Sequence, residues 1–291
     1  MNTDSNNHDA TAIGASETPS GDILLSAHLW LRYGKKPPVL CDLDLDIRRG
    51  EVLGLIGQSG SGKSTLALAI LGLLDRKRIQ VEGTVRFDGS DLLRVSEQDL
   101  RALRGRKLSL VLQSPLSSLN PALKIRTQLK EAWRAHASGP KADCNAAIRA
   151  ALESVSLPST DEFLRKYPSQ MSVGQAQRVL IAMAVMHRPA LLIADEATSA
   201  LDVITQSEIL ALFRELNRTT GMAILYISHD LASVAGICDR IAILHQGQIV
   251  ESGSTTQVLT NPQHEYTRRL MAALPRIPTR EPEKSAAAAV R

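Results

Sequence analysis

The stretch Gly57-Gln58-Ser59-Gly60-Ser61-Gly62-Lys63-Ser64 decides the fold. It follows a short apolar run, Val52–Ile56, and opens an apolar-periodic segment from Lys63 to about Leu74. The pattern GxxxxGK[ST] between a strand and a helix is a phosphate cradle. Glycines let backbone N–H groups close around an anion with no Cβ in the way. The helix that follows points the positive end of its dipole at the same place. Lys63 is expected to reach β- and γ-phosphates and the Ser64 hydroxyl to ligate Mg²⁺, so the implied ligand is ATP with its magnesium. Thr65 adds a hydroxyl on the α-phosphate side. The bland alternative is a glycine-rich turn that happens to precede a helix; eight matching positions with the correct flanks argue against it.

A second apolar run, Ala190–Ala194, ends in Asp195-Glu196. Two acids after a strand are by themselves more often a helix start. In a chain that carries a phosphate loop, the Asp is placed to hold Mg²⁺ and the Glu to polarise an attacking water. Val52–Ile56, Leu191–Ala194 and Ala223–Ile227 read as buried central strands alternating with helical patterns, hence an α/β fold with a parallel sheet. Thr84–Phe87 before Asp88-Gly89, and Arg240–Leu244 before Gln246-Gly247, read as hairpin strands. Residues of about 117–185 are helix-rich and read as a helical subdomain inserted into that core.

Bulk properties narrow the class. The 291 residues are 44% hydrophobic and 22% charged, with a formal net charge of only +4, which favours no particular partner. Aromatics at 3% are too sparse for a base-stacking platform, so no nucleic acid is expected. The longest apolar runs, near Leu66–Leu74 and Val179–Met186, are about half of what spans a bilayer. The N-terminus lacks the basic-then-apolar order of a secretory signal. The polypeptide is therefore expected in the cytoplasm, reaching a membrane only through a partner. Cys41, Cys144 and Cys238 form no CxxC pair and read as free thiols. Residues 1–22 are polar, with four acids and no Lys or Arg, and read as a disordered leader. The chain from about Arg276 reads as a flexible tail, leaving 23–275 as one domain.

Gln170-Met171-Ser172-Val173-Gly174-Gln175-Ala176-Gln177-Arg178 resembles the signature motif of ABC transporter ATPases, whose core is usually Leu-Ser-Gly-Gly-Gln. It lies just before the Asp195-Glu196 strand, in the family's order. Ser199-Ala200-Leu201-Asp202 resembles the D-loop, His229 the switch histidine and Gln113 the Q-loop glutamine. Tyr33 sits where the family places an adenine-stacking aromatic. Individually a lone Gln, His or Tyr is more often structural; the ordered set is what is specific. The resemblance implies a P-loop NTPase (RecA-like) core with an antiparallel β subdomain and the inserted helices. It implies Gln113 beside Ser64 and Asp195 at the metal, and Gln113 and His229 sensing the γ-phosphate and the attacking water. It also implies a second ATPase subunit: Ser172 and the backbone at Gly174 make a spare anion site at a helix start, useful when it faces a γ-phosphate held by another copy.

Two departures stand out. Val173 replaces the first signature glycine, and would be strained if that position required φ above zero. Ala197 follows Glu196 where Pro is common; little effect is expected.

Gln113-Ser114-Pro115-Leu116-Ser117-Ser118-Leu119-Asn120-Pro121 and Asn261-Pro262-Gln263-His264-Glu265-Tyr266-Thr267 are similar to elements of the oligopeptide/dipeptide importer branch, the second (about 255–275) with Glu265 for its usual Pro. That similarity implies two transmembrane permeases, an extracytoplasmic solute-binding protein, and a place at the cytoplasmic face of a bacterial inner membrane. The helices after Gln113 would receive the permeases. Nickel and other metal-chelate importers share the branch. A soluble ABC ATPase working on ribosomes or DNA is the main alternative, but one cassette and a short insertion fit it poorly. A P-loop small-molecule kinase leaves Ser172–Gln175 and His229 unexplained.

Overall fold

A computed structural model describes residues 23–75 and 77–272. The readings made for the leader (1–22), for the tail, and for the last three residues of the domain lie outside them. In chain order the elements are β1 (Ile23–Tyr33), β2 (Pro38–Arg48), β3 (Val52–Ile56), α1 (Lys63–Ile70), β4 (Ile79–Phe87), β5 (Ser90–Asp91), α2 (Glu97–Leu103) and β6 (Leu108–Val111). Then come α3 (Pro115–Ser118), α4 (Ile125–Arg134), α5 (Lys141–Ser154), α6 (Asp161–Arg165), α7 (Val173–Val185), β7 (Leu191–Asp195) and α8 (Val203–Thr220). The chain continues through β8 (Ala223–Ser228), α9 (Leu231–Ile237), β9 (Arg240–His245), β10 (Gln248–Ser254), α10 (Thr255–Thr260) and α11 (Glu265–Ala272).

Two sheets result. One is antiparallel, in the order β2-β1-β4-β5; the other runs β10-β9-β3-β8-β7-β6, parallel from β9 to β6 with β10 antiparallel at its edge. Strands β3 and β8 are buried at every position, as continuous apolar runs in a covered parallel sheet should be. The space between the two sheets is filled from both: Leu43, Leu45 and Ile47 of β2 share a core with Leu53 and Leu55 of β3 and Leu66 and Ile70 of α1. A second core lies on the other face of the parallel sheet, where Val179, Ile181 and Ala182 of α7 meet Leu192, Ala194, Ile224 and Tyr226.

Both expected turns are present. Asp88 and Gly89 have φ of 49° and 82°, Gln246 and Gly247 have 49° and 81°, so each two-residue turn keeps both residues in the left-handed region. The hairpin readings need widening, however. The main partner of β4 is β1, and β9 also pairs in parallel with β3. Helix α1 ends at Ile70 rather than near Leu74, because Gly72 turns left-handed at φ 61° and the Leu73 N–H bonds back to the Leu68 carbonyl.

Strand order decides which loops meet. β8 lies between β3 and β7, so the loops leaving the carboxyl ends of β3, β8 and β7 emerge side by side, with that of β6 next in line. Open α/β sheets bind ligands at this edge.

Candidate functional site

The glycine loop leaves β3 at that edge. At Gly57 a Cβ would stand 2.4 Å from the Leu244 carbonyl oxygen and 2.7 Å from Ser61 Oγ, so no larger residue fits. Gly60 (φ 81°) and Gly62 (φ 109°) occupy the left-handed region, and Gly62 caps the start of α1. Gln58, Ser59 and Gly60 are exposed, whereas Ser61 is buried with an unpartnered hydroxyl. Lys63 is buried in the first turn of α1, where its ammonium donates to the carbonyls of Gly57 at 2.7 Å and Gln58 at 3.0 Å. Burial lowers its pKa, and the nearby Glu196 and Asp195 oppose that shift. Ser64 is exposed and Thr65 half-buried.

Across from the loop, Asp195 ends β7. Its carboxyl pKa is raised chiefly by burial, with Glu196 adding to the shift and a hydrogen bond from Ser64 and the charge of Lys63 opposing it. One of its oxygens, Oδ1, is buried without a partner. A cleft of about 580 Å³ is lined by Ser59, Ser64, Gln113, Asp195 and Glu196, together with Leu112 and the serines of the α3 turn. An orphaned carboxylate oxygen, a serine hydroxyl and a glutamine amide in one cleft form an all-oxygen donor set that fits a hard divalent cation such as Mg²⁺. No cluster of three or more His, Cys, Asp or Glu side chains suited to a metal occurs among the described residues.

A raised carboxyl pKa has a thermodynamic consequence. The folded state holds the proton more tightly than the unfolded one, so stability is lost as pH rises from the ordinary value of 3.8 through the raised one, and at pH 7 the charged Asp195 costs stability. Asp195→Asn is therefore expected to raise Tm at pH 7 by a few degrees, the gain vanishing below about pH 3.8. Thermal melts across that pH range check it; a lower Tm at neutral pH would contradict it.

Glu196 follows at φ 50°, a left-handed backbone rare outside glycine, fixed by its N–H donating to the Ile227 carbonyl at 3.0 Å. Its Oε1 stands 3.4 Å from His229 Nδ1, the first residue past β8. Tertiary structure thus joins residues 33 positions apart beside the cleft that Glu196 lines. Two buried side chains next to this pair escaped the sequence reading. Thr198 and Tyr226 share a hydrogen bond of 2.8 Å between hydroxyls. The available signal was weak: one phenol in the otherwise apolar run of β8, whose buried hydroxyl needs a partner.

Ser172 caps α7 through a reciprocal box, its Oγ accepting from the Gln175 N–H at 3.2 Å and the Gln175 Oε1 accepting from the Ser172 N–H at 3.3 Å. Val173 begins the helix and is absent from the left-handed residues, so the strain that φ above zero would bring does not arise there. It is 39% exposed and faces outward. Gly174 is needed for a different contact: its Cβ would lie 2.7 Å from Thr205 Cγ2 on α8. Asp202 caps α8, accepting from the N–H groups of Ile204 and Thr205 and the Thr205 hydroxyl, which hold its pKa low. The signature and D-loop positions are therefore neighbours, while Ser172 does not line the cleft of its own glycine loop. Tyr33 ends β1 opposite Ile79, packs partly into the core between the sheets, and does not line that cleft either.

Similarity to known proteins extends over most of the chain. The family model described as ABC transporter matches residues 40–199. The oligopeptide transport ATP-binding protein OppD of Lactococcus lactis is 39% identical over 242 residues, covering 83% of this chain and 72% of the relative. The dipeptide transport ATP-binding protein DppD of Bacillus subtilis is 38% identical over 246 residues, covering 84% and 73%. Among solved structures, the dimeric post-hydrolysis state of the ATP-binding cassette MJ0796, bound to ADP and Pi, superposes with a TM-score of 0.66 at 26% identity, covering 78% of this chain and 98% of that one.

Proposed function

The chain belongs to the ABC transporter family, and on that premise we propose that it is the ATP-hydrolysing subunit of a bacterial importer, driving uptake of peptides or a related small solute. The observation that carries the proposal is the convergence on one cleft of the glycine loop, Asp195 and Glu196, with His229 Nδ1 3.4 Å from Glu196. Gly57, Gln58, Ser59, Gly60, Ser61, Gly62, Lys63, Ser64 and Thr65 grip the triphosphate. Ser64, Asp195 and Gln113 would hold Mg²⁺, which when bound neutralises charge on the phosphate oxygens. Glu196 accepts a proton as water attacks the γ-phosphorus, forming one P–O bond while the bond to the β-phosphate oxygen breaks. His229, within reach of Glu196, holds the carboxylate in line, and Gln113 senses the γ-phosphate from the opposite wall. Tyr33 is assigned to the adenine face.

Ser172, Val173, Gly174 and Gln175 complete the site of a second ATPase subunit, identical or paralogous. Two features support this: the exposed serine at a helix start, turned away from its own cleft, and the dimeric state of the ADP-bound MJ0796 cassette. Asp202 lies at the same face.

The membrane partners are proposed to be two permeases, served by an extracytoplasmic binding protein, with the chain held at the cytoplasmic side. Among the described residues no helix is long and apolar enough to cross a membrane. An apolar groove of about 310 Å³, running past Leu71, Leu110, Leu112, Leu180 and Met183, suits a permease helix. The names of OppD and DppD support peptides as cargo. Fractionation tests the assignment. The chain is expected to sediment with membranes when its permeases are co-expressed and to stay in the supernatant without them; recovery with ribosomes, or a distribution indifferent to permeases, would overturn it.

A further inference from the structure

Beneath the Glu196–His229 contact lies a chain of hydroxyls inside an otherwise apolar core. Thr198, two residues past Glu196, bonds the Tyr226 hydroxyl at 2.8 Å; Tyr226 donates to Ser233 Oγ at 3.3 Å; Ser233 donates to the Asp230 carbonyl at 2.7 Å. Because Ser233 has committed its proton, Ser228 donates to it in turn, at 3.3 Å, while Ser228 Oγ accepts the Asp230 N–H at 3.0 Å. These last residues bracket His229 on both sides. Thr198, Ser228 and Ser233 are almost wholly buried and Tyr226 entirely so. From outside, Gln206 of α8 donates to Asp230 Oδ2 at 3.1 Å, closing a ring around the 199–202 segment.

Packing alone does not call for these hydroxyls. A phenylalanine fills the Tyr226 space equally well, against Phe213 at 6.3 Å, and a valine fills that of Thr198. Each buried hydroxyl has to be satisfied, and here Tyr226 joins the turn after β7 to α9, while Ser228 and Ser233 are satisfied around Asp230. Tyr226 bonds Thr198, on the turn carrying Glu196, and Ser233 of α9, which in turn meets Ser228 just before His229. Backbone pairing to β8 reaches Glu196 through its N–H to the Ile227 carbonyl, and the turn beyond closes on itself, Ser199 N–H to Glu196 and Leu201 N–H to Thr198, so Thr198 is its side-chain tie to β8.

We propose that the Tyr226 hydroxyl is a positioning group for hydrolysis: through Thr198 on one side and Ser233 and Ser228 on the other, it sets the Glu196 turn and the His229 loop in register. It touches neither nucleotide nor water. The inference rests on the assignment of Glu196 and His229 to hydrolysis. It adds that their separation is held from below, and that a shift of the 199–202 segment at a subunit face is transmitted to the Glu196–His229 pair through Thr198.

The test uses the full chain with Tyr226→Phe, Thr198→Val and Thr198→Ser, and Glu196→Gln as reference. We expect Tyr226→Phe and Thr198→Val each to lower kcat for ATP by about 10–100-fold with KM within about twofold, Thr198→Ser to retain kcat, and the double variant Tyr226→Phe/Thr198→Val to lose little more than either single one. In NMR spectra, Thr198→Val should move the His229 ring resonances while those of His28 and His136 stay fixed, although Thr198 makes no bond to His229. This readout needs no turnover and separates positioning from general destabilisation. Unchanged kcat in both Tyr226→Phe and Thr198→Val, or a His229 signal unmoved by Thr198→Val, overturns the proposal. Rapid hydrolysis by Glu196→Gln instead overturns the catalytic assignment on which it rests, so the two failures are distinguishable.

Discussion

Glu196→Gln is expected to bind ATP as tightly as the unaltered chain and to hydrolyse it about 10²–10⁴-fold more slowly, the usual worth of a positioned general base. The substitution keeps size and shape, so the left-handed turn at φ 50° and the bond to the Ile227 carbonyl survive. What is lost is the carboxylate proposed to accept water's proton, since an amide is far too weak a base. Its partner is affected as well. His229 Nδ1 stands 3.4 Å from Glu196 Oε1, and a neutral amide there holds the imidazole less firmly than a carboxylate. Single-turnover assays with radiolabelled ATP, alongside equilibrium binding, separate the two effects. Rapid turnover in this variant would remove Glu196 as the base.

Lys63→Ala is expected to weaken ATP binding by at least about 100-fold. Charge-assisted hydrogen bonds contribute about 1.5–3 kcal/mol each, and this ammonium is proposed to serve two phosphates. Its present contacts explain why the loss is specific. The ammonium already donates to the Gly57 and Gln58 carbonyls, so the side chain is drawn over the loop and spends little conformational freedom when it turns to an anion. Burial lowers its pKa, and a triphosphate arriving beside it relieves that desolvation by supplying opposite charge. The variant's fold should persist, because Lys63 belongs to neither apolar core, although the Gly57 and Gln58 carbonyls lose a donor. Titration calorimetry with ATP, and melting temperature as a control for folding, decide the matter. Undiminished affinity in a folded variant would mean that the glycine loop does not grip phosphate.

These expectations come from a site that was largely readable in one dimension. The glycine loop carries its own chemistry in eight consecutive positions, and the Asp195-Glu196 pair announces itself at the end of an apolar run. Both are local: strand, turn and helix start are decided by neighbours a few residues apart, where glycine freedom and strand periodicity act directly. The strand β2 was equally legible and was missed, since Leu43, Leu45 and Ile47 alternate with Asp44, Asp46 and Arg48 at a period of two. β6 was not legible, because four residues at the end of a sheet are too few to show a period. The length of α1 depended on one glycine turning left-handed, a choice that Gly72 permits but does not compel.

Val173 and Gly174 show where residue type misleads without coordinates. The valine at the first signature position suggested strain, yet its backbone is helical and its side chain outward; the glycine beside it is the constrained one, pressed against Thr205 of a helix that starts 29 residues later. No pattern in the signature stretch carries that information. The same holds for His229 and Gln113, which are chemically ordinary until strand order sets them at one edge.

Residue chemistry along the chain thus read out a glycine loop of the phosphate-cradle pattern, a carboxylate at a strand end and an adjacent acid, because each needs only its immediate neighbours. Which of them meet was decided by the placement of β8 between β3 and β7, and that pairing spans from Val52 to Ser228. Long-range strand order is set by how two apolar faces share a core, a property of the whole packed sheet that no short window of sequence holds.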